Sequence, residues 1–203
     1  MQPPIICLVT GGAGERPLLD AIVEAAQAGV DLVQIREPGL GDRALLELTR
    51  GAVEATRDTP CRILVNDRFD IAISTNAAGV HLRGDSFPAT RVRAAAGQGF
   101  LIGRSVHDVA EATAEAPGCD YLIFGTVFPS ASKPETHQAS GLEALRAVCA
   151  AVHIPVLAIG GISTENVSDV AAAGASGVAA IRLFRGREPI ASIVSVIRTR
   201  FDT

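Results

Sequence analysis

The spacing of short aliphatic runs is what most limits the folds open to this chain. Eight of them recur: IICLVT (5–10), DLVQIR (31–36), RILVND (62–67), GVHL (79–82), FLIGRS (100–105), YLIFGT (121–126), PVLAIG (155–160) and GVAAIR (177–182). Eight units in 203 residues leave about 25 residues each, the size of one compact strand–helix pair. Continuous apolar runs of this length suit strands covered on both faces. Helical patterns fall between them: Leu18, Leu19, Ile22, Val23 and Ala26 repeat at helical spacing, as do Ile190, Ile193, Val194, Ile197 and Phe201. Ser163 is a candidate N-cap for the seventh helix. Glycines in Ala28-Gly29-Val30, Ala78-Gly79-Val80 and Ala173-Gly174-Ala175 are expected to end helices in the left-handed conformation and turn the chain into the next strand.

Strict alternation of strand and helix argues for a parallel sheet, and eight units argue for its closure. The fold class expected is therefore α/β, a single (β/α)8 barrel over residues 1–203. A doubly wound sheet would need a phosphate fingerprint after the first strand. The segment Thr10–Pro17 is glycine-rich, but Pro17 fills the third glycine slot counted from Gly12. A Walker A loop needs Gly-Lys, whereas the only lysine, Lys133, follows Ser132.

Net charge of −4 argues against a nucleic-acid binder, and no apolar stretch approaches the roughly 18 residues of a membrane span. The N-terminal apolar run lacks a preceding basic segment and is short for a signal peptide. Cys7, Cys61, Cys119 and Cys149 are widely spaced without a Cys-x-x-Cys pair and read as buried reduced thiols. A cytoplasmic protein is the expectation. The aliphatic helix faces leave room for a homo-oligomer.

Chemistry in such barrels sits at the C-terminal strand ends, and here these ends are polar. Period-two alternation puts Gln34 and Arg36 on one face, towards the barrel mouth. The third run ends in Asn66-Asp67-Arg68. The fourth carries His81, then Arg83-Gly84-Asp85-Ser86. The fifth ends in Gly103-Arg104-Ser105-Val106-His107, and the sixth leads to Ser130, Ser132 and Lys133. Gly160 and Gly161 after the seventh run, with Ile181 and Arg182 ending the eighth, form a candidate phosphate site, because bare backbone amides can reach an anion. A tight strand–helix turn is the other reading of the glycine pair. His107 can both take and return a proton near neutrality. His81, inside its strand, reads as a hydrogen-bonded core histidine. Asp67 suits either Mg2+ or an ion pair with Arg68 or Arg36.

These pieces resemble the thiamine phosphate synthase / TenI family of small (β/α)8 barrels, from Cys7 to about Pro189. The matching segments are Gln34-x-Arg36-Glu37, Asn66-Asp67-Arg68, Gly79-Val80-His81-Leu82, Gly103-x-Ser105-x-His107, Gly125-x-Val127-Phe128 with Ser132-Lys133, Gly141-Leu142, and Ile159-Gly160-Gly161-Ile162. The resemblance implies one of two activities in thiamine biosynthesis. The synthase joins hydroxymethylpyrimidine diphosphate to a thiazole phosphate and releases pyrophosphate, with help from a lysine and Mg2+ on two carboxylates. The TenI branch is a thiazole tautomerase, which aromatises a thiazole carboxylate phosphate by proton transfer without a cofactor. In this chain Pro38 stands where the synthase has its lysine. The second carboxylate position falls on Ser86, with Asp85 one residue away. On these departures the sequence favours the tautomerase, with the synthase as the alternative. In that reading His107 is catalytic, and Gln34, Arg36, Asn66, Ser105, Ser130, Ser132 and Lys133 bind the substrate. Gly160, Gly161, Ile181 and Arg182 hold its phosphate. Asp67 and Asp85 would hold Mg2+ only in the synthase.

Overall fold

A computed structural model describes residues 4–11, 17–130 and 138–201. Eight strands are present, β1 (Ile5–Val9), β2 (Leu32–Ile35), β3 (Arg62–Asn66), β4 (Gly79–Leu82), β5 (Leu101–Val106), β6 (Tyr121–Gly125), β7 (Val156–Ile159) and β8 (Gly177–Ala180). Seven fall within one of the eight aliphatic runs, and β5 extends one residue past its run, to Val106. Helices α1 (Leu18–Gln27), α2 (Asp42–Thr56), α3 (Phe69–Ser74), α4 (Ala89–Ala96), α5 (Val109–Glu115), α6 (Gly141–Ala151), α7 (Val167–Ala172) and α8 (Ile190–Phe201) alternate with them. The strands pair in parallel in sequence order, and β1 closes on β8 through Ile5↔Gly177 to Leu8↔Ala180. The fold is the (β/α)8 barrel that the period requires.

Two apolar layers follow from strand alternation. The barrel interior holds Cys7, Val9, Leu32, Leu64, Tyr121, Ile123, Leu157 and Ala179. The larger layer lies between sheet and helices and includes Ile6, Ile22, Val33, Ile63, Ile102, Leu122, Phe124, Leu145 and Ile193. Aromatic side chains are scarce in both, so aliphatic packing fills the barrel. Cys7, Cys61 and Cys119 are buried and free as expected, with burial raising their thiol pKa values. Cys149 is free but only partly buried.

Three local expectations are corrected. α7 starts at Val167, because the Ser163 hydroxyl instead accepts from the amides of Glu165 and Asn166 in a turn ahead of the helix. Gly29 and Gly174 do turn the chain, at φ +90° and +91°. Gly79 lies inside its strand, and the left-handed residue before it is Asn76, at φ +54°. At Gly79 what matters is space: a Cβ would lie 2.0 Å from the Leu101 carbonyl oxygen.

Two matching clamps secure the N-terminal end of the barrel. Asp31, just before β2, accepts the Ile6 amide at 2.7 Å and pairs with Arg198 of α8 at 2.8 Å. Arg198 also donates to the carbonyls of Pro4 and Gly29. Asp120, just before β6, accepts the Ile102 amide at 2.7 Å and pairs with Arg93 of α4 at 2.5 Å. Arg93 in turn donates to the carbonyls of Gly97, Phe100 and Gly118. In both places an aspartate takes a strand amide while an arginine satisfies carbonyls that would otherwise lack partners.

Candidate active site

A cavity of about 680 Å³ opens at the C-terminal end of the strands. This lies within the range of small-molecule sites. Its lining brings together most of the residues that the sequence singles out: Gln34, Arg36, Asn66, Asp85, Ser105, His107, Ser130, Gly160, Gly161, Ile181 and Arg182. Ser132 and Lys133 lie outside the described residues. Asp67 is not part of the lining.

The β2–β3 side is built on a pair of amides. Gln34 follows the inward alternation of β2 and is buried, and its Nε2 donates to Asn66 Oδ1 at 2.9 Å. Gln34 Oε1 is buried and has no partner among the described residues. A buried acceptor without a donor costs free energy in the empty protein, and a ligand amine or hydroxyl would recover it. Arg36 follows at the rim, exposed to solvent.

His81 combines two roles. It is buried as expected, and it also lines the cavity. Nδ1 lies 3.2 Å from the Tyr121 hydroxyl and Nε2 lies 2.9 Å from Ser105 Oγ. Gly103 makes room for this triad, since a Cβ there would lie 2.1 Å from the Tyr121 ring. Burial, with the Arg104 charge adding to it, pushes the imidazole pKa down to about 3. An unfolded histidine titrates near pH 6.5, so unfolding takes up a proton between those values and stability falls as pH drops from about 6.5 towards 3. The loss is on the order of a few kcal/mol at full protonation. Urea denaturation at pH 7 and pH 4 should show it, with a shallower pH slope in His81→Gln.

His107 sits at the rim, half exposed. Its Nδ1 lies 3.0 Å from Glu111 Oε2, and the same oxygen accepts its own amide at 2.8 Å. Asp108 caps α5 by accepting the Glu111 amide at 2.8 Å. The carboxylate of Glu111 therefore fixes the ring, an arrangement suited to moving a proton.

The β7 end is a cramped turn. Gly160 and Gly161 adopt φ +98° and +63°. A Cβ on Gly160 would lie 2.3 Å from Thr126 Cγ2, and one on Gly161 would lie 2.6 Å from the Pro129 carbonyl oxygen. Asn166 Nδ2 donates to the Gly161 carbonyl at 2.9 Å and steadies the turn. The tight-turn reading is thus correct, and the same bare backbone also faces the cavity.

Sequence reasoning undervalued the loop after β4, residues 83–88. Arg104 of β5 is 3% exposed and grips it from behind, donating to the carbonyls of Phe87 at 2.8 Å and Gly84 at 2.9 Å. Its Nε lies 2.9 Å from Glu115 Oε2, an ion pair with an imperfect angle. The grip presents Arg83, Gly84 and Asp85 to the cavity.

The same loop sets the surroundings of the expected Mg2+ pair. Asp67, at φ +62°, accepts from the Ser86 hydroxyl at Oδ1, and its Oδ2 lies 3.4 Å from Arg83 Nε. Asp85 Oδ2 lies 3.1 Å from Arg83 Nη2. Arg68, an expected partner of Asp67, pairs with Asp42 and Asp70 instead. One guanidinium therefore bridges the two carboxylates, and a hydroxyl stands where the second metal carboxylate was sought. Among the described residues no group of three or more histidines, cysteines or carboxylates is placed to hold a metal. With the Arg83 guanidinium lying between them, Asp67 and Asp85 as placed here do not fit a two-carboxylate Mg2+ site.

Comparison with known proteins decides the family. The family model described as thiamine monophosphate synthase matches residues 6–184. This chain belongs to the thiamine monophosphate synthase family. It is 39% identical over 194 residues to thiamine-phosphate synthase of Moorella thermoacetica, covering 95% of this chain and 92% of that one. It is 41% identical over 177 residues to thiamine-phosphate synthase of Methanoculleus marisnigri, covering 87% and 84%. Among solved structures it resembles thiamine phosphate pyrophosphorylase from Pyrococcus furiosus, with a TM-score of 0.84, 31% identity and coverage of 98% and 96%. These synthase-family relatives favour the alternative named from the sequence and give no support to the tautomerase.

Proposed function

We propose that the protein is a thiamine phosphate synthase, a transferase that joins hydroxymethylpyrimidine diphosphate to thiazole phosphate and releases pyrophosphate. The observation that carries this reading is one cavity with two cationic or anion-receptive ends. Arg36 and Arg83 border it on the β2–β4 side, while Gly160, Gly161 and Arg182 border it on the β7–β8 side. The tautomerase substrate carries one phosphate and one carboxylate, and a lone carboxylate would leave one of the two arginines at the second end unused; a diphosphate suits both. The named synthases among its relatives support the same choice.

In this reading the buried Gln34–Asn66 pair orients the pyrimidine, with the open Gln34 Oε1 accepting from its amino group. The leaving pyrophosphate lies towards Arg36 and Arg83, whose charge offsets what develops on the departing group. The thiazole phosphate rests on the Gly160-Gly161 turn and Arg182. No step here depends on Mg2+ held by the protein. His107, at the rim, remains available to contact either anion.

Incubation of the purified protein with both substrates tests the reading. Thiamine phosphate and pyrophosphate are expected in equal amounts, and neither should form when one substrate is omitted. Turnover of a thiazole carboxylate phosphate tautomer, with no pyrophosphate released from the pair, would restore the tautomerase.

A further inference from the structure

We infer that Arg83 is a built-in cation of this site, taking the place of a divalent metal in binding the diphosphate end of a ligand. The inference rests on the transferase reading for the identity of the ligand, but its geometry stands independently. Arg83 is held on two sides, by Asp67 Oδ2 at 3.4 Å from Nε and by Asp85 Oδ2 at 3.1 Å from Nη2. Its own amide donates to Ser86 Oγ at 2.9 Å, and the Ser86 hydroxyl in turn donates to Asp67. Arg104 fixes the carbonyl of Gly84 from below. The guanidinium is thus pre-organised on a short, anchored loop.

A guanidinium has five N–H donors in a rigid fork. Two of Arg83's face Asp67 and Asp85, which leaves both hydrogens of Nη1 and one of Nη2 without a partner among the described residues. Arg83 lines the cavity, so these donors are placed for phosphate oxygens, which a planar fork binds in bidentate fashion. Both oxygens of Asp67 are already engaged. A dication bound there would have to displace the guanidinium or sit against its like charge, and the unfavourable energy grows as the separation shortens. Ser86 completes the substitution: a carboxylate at this position would set a second negative charge against Asp67, whereas the neutral hydroxyl donates to it.

Calorimetric titration of inorganic pyrophosphate into the protein, with EDTA or with Mg2+, tests the inference directly. Binding with EDTA is expected, and Arg83→Gln should weaken it at least tenfold without moving the thermal midpoint, because this side chain is mostly exposed. The double variant Arg83→Gly/Ser86→Asp should bind pyrophosphate only when Mg2+ is present. Binding by the unaltered protein that requires Mg2+, or unchanged binding in Arg83→Gln, would overturn the inference. The two readings fail separately. Metal-free pyrophosphate binding that depends on Arg83, without thiamine phosphate formation, removes only the transferase. Thiamine phosphate formation that EDTA abolishes, with unchanged binding in Arg83→Gln, removes only the role of Arg83.

Discussion

Arg104→Met is expected to lose about 1.5–3 kcal/mol of stability, the usual worth of hydrogen bonds made by a charged group, here a buried guanidinium whose partner Glu115 is about a third exposed. Methionine fills a similar volume but leaves Glu115 without its guanidinium and frees the carbonyls of Gly84 and Phe87. Glu115 and the loop residues Gly84 and Phe87 reach solvent, so water takes over part of what the guanidinium supplied and the loop loses its anchor rather than its solvation. The second effect is functional. The loop that Arg104 holds carries Arg83 and Asp85 into the cavity, so the variant should lose turnover beyond what its unfolded fraction explains. Arg104→Lys keeps the charge but not the fork, and should recover part of the stability and little of the activity. Urea denaturation and steady-state rates on the same samples separate the two effects. A variant as stable and as active as the parent would show that this loop positions itself.

Gly177→Ala is expected to prevent proper closure of the barrel. A Cβ there would lie 1.9 Å from the Ile5 carbonyl oxygen and 2.7 Å from the Ile5 nitrogen and carbonyl carbon. All three are backbone atoms, so no side-chain rotamer can relieve the overlap. Ordinary overpacking costs about 1–3 kcal/mol because neighbouring side chains give way. Here the relief must come from parting β1 and β8 at the Ile5↔Gly177 register, where the sheet closes. The loss should exceed that range, and amide exchange at Ile6 to Leu8 should speed up more than exchange in β5 or β6. Gly39→Ala, with open space around it, is the matched control and should be close to neutral.

The fold was legible because its cause is local and repeated. Each aliphatic run is short, each helical stretch has its own periodicity, and eight units leave the sheet little choice but to close. The strand-end polar residues were legible for the same reason: alternation alone sends Gln34 and Arg36 to the mouth. What the residues do there depends on partners far apart in sequence. Asp67 and Ser86 meet across 19 positions, and Arg104 reaches back 20 to Gly84. No periodicity encodes such meetings. Asp67 therefore read as a metal ligand or as a partner of its neighbour Arg68, when Arg83 had already taken it. The missing lysine at Pro38 and the serine at position 86 were read as the loss of synthase chemistry. With Arg83 in place the same departures read as a change of cation.

The paired clamps at the base of the barrel bear on how the ring is assembled. One joins α4 to β5 and β6, and the other joins α8 to β1 and β2. The first four units thus contribute Asp31 and Arg93, and the last four contribute Asp120 and Arg198. Each half offers an acid at one end and a guanidinium at the other, so the two seams are interchangeable in chemistry. A half-ring of this kind carries the complement of its own other edge, and two copies set head to tail would meet through the same aspartate–arginine handshake.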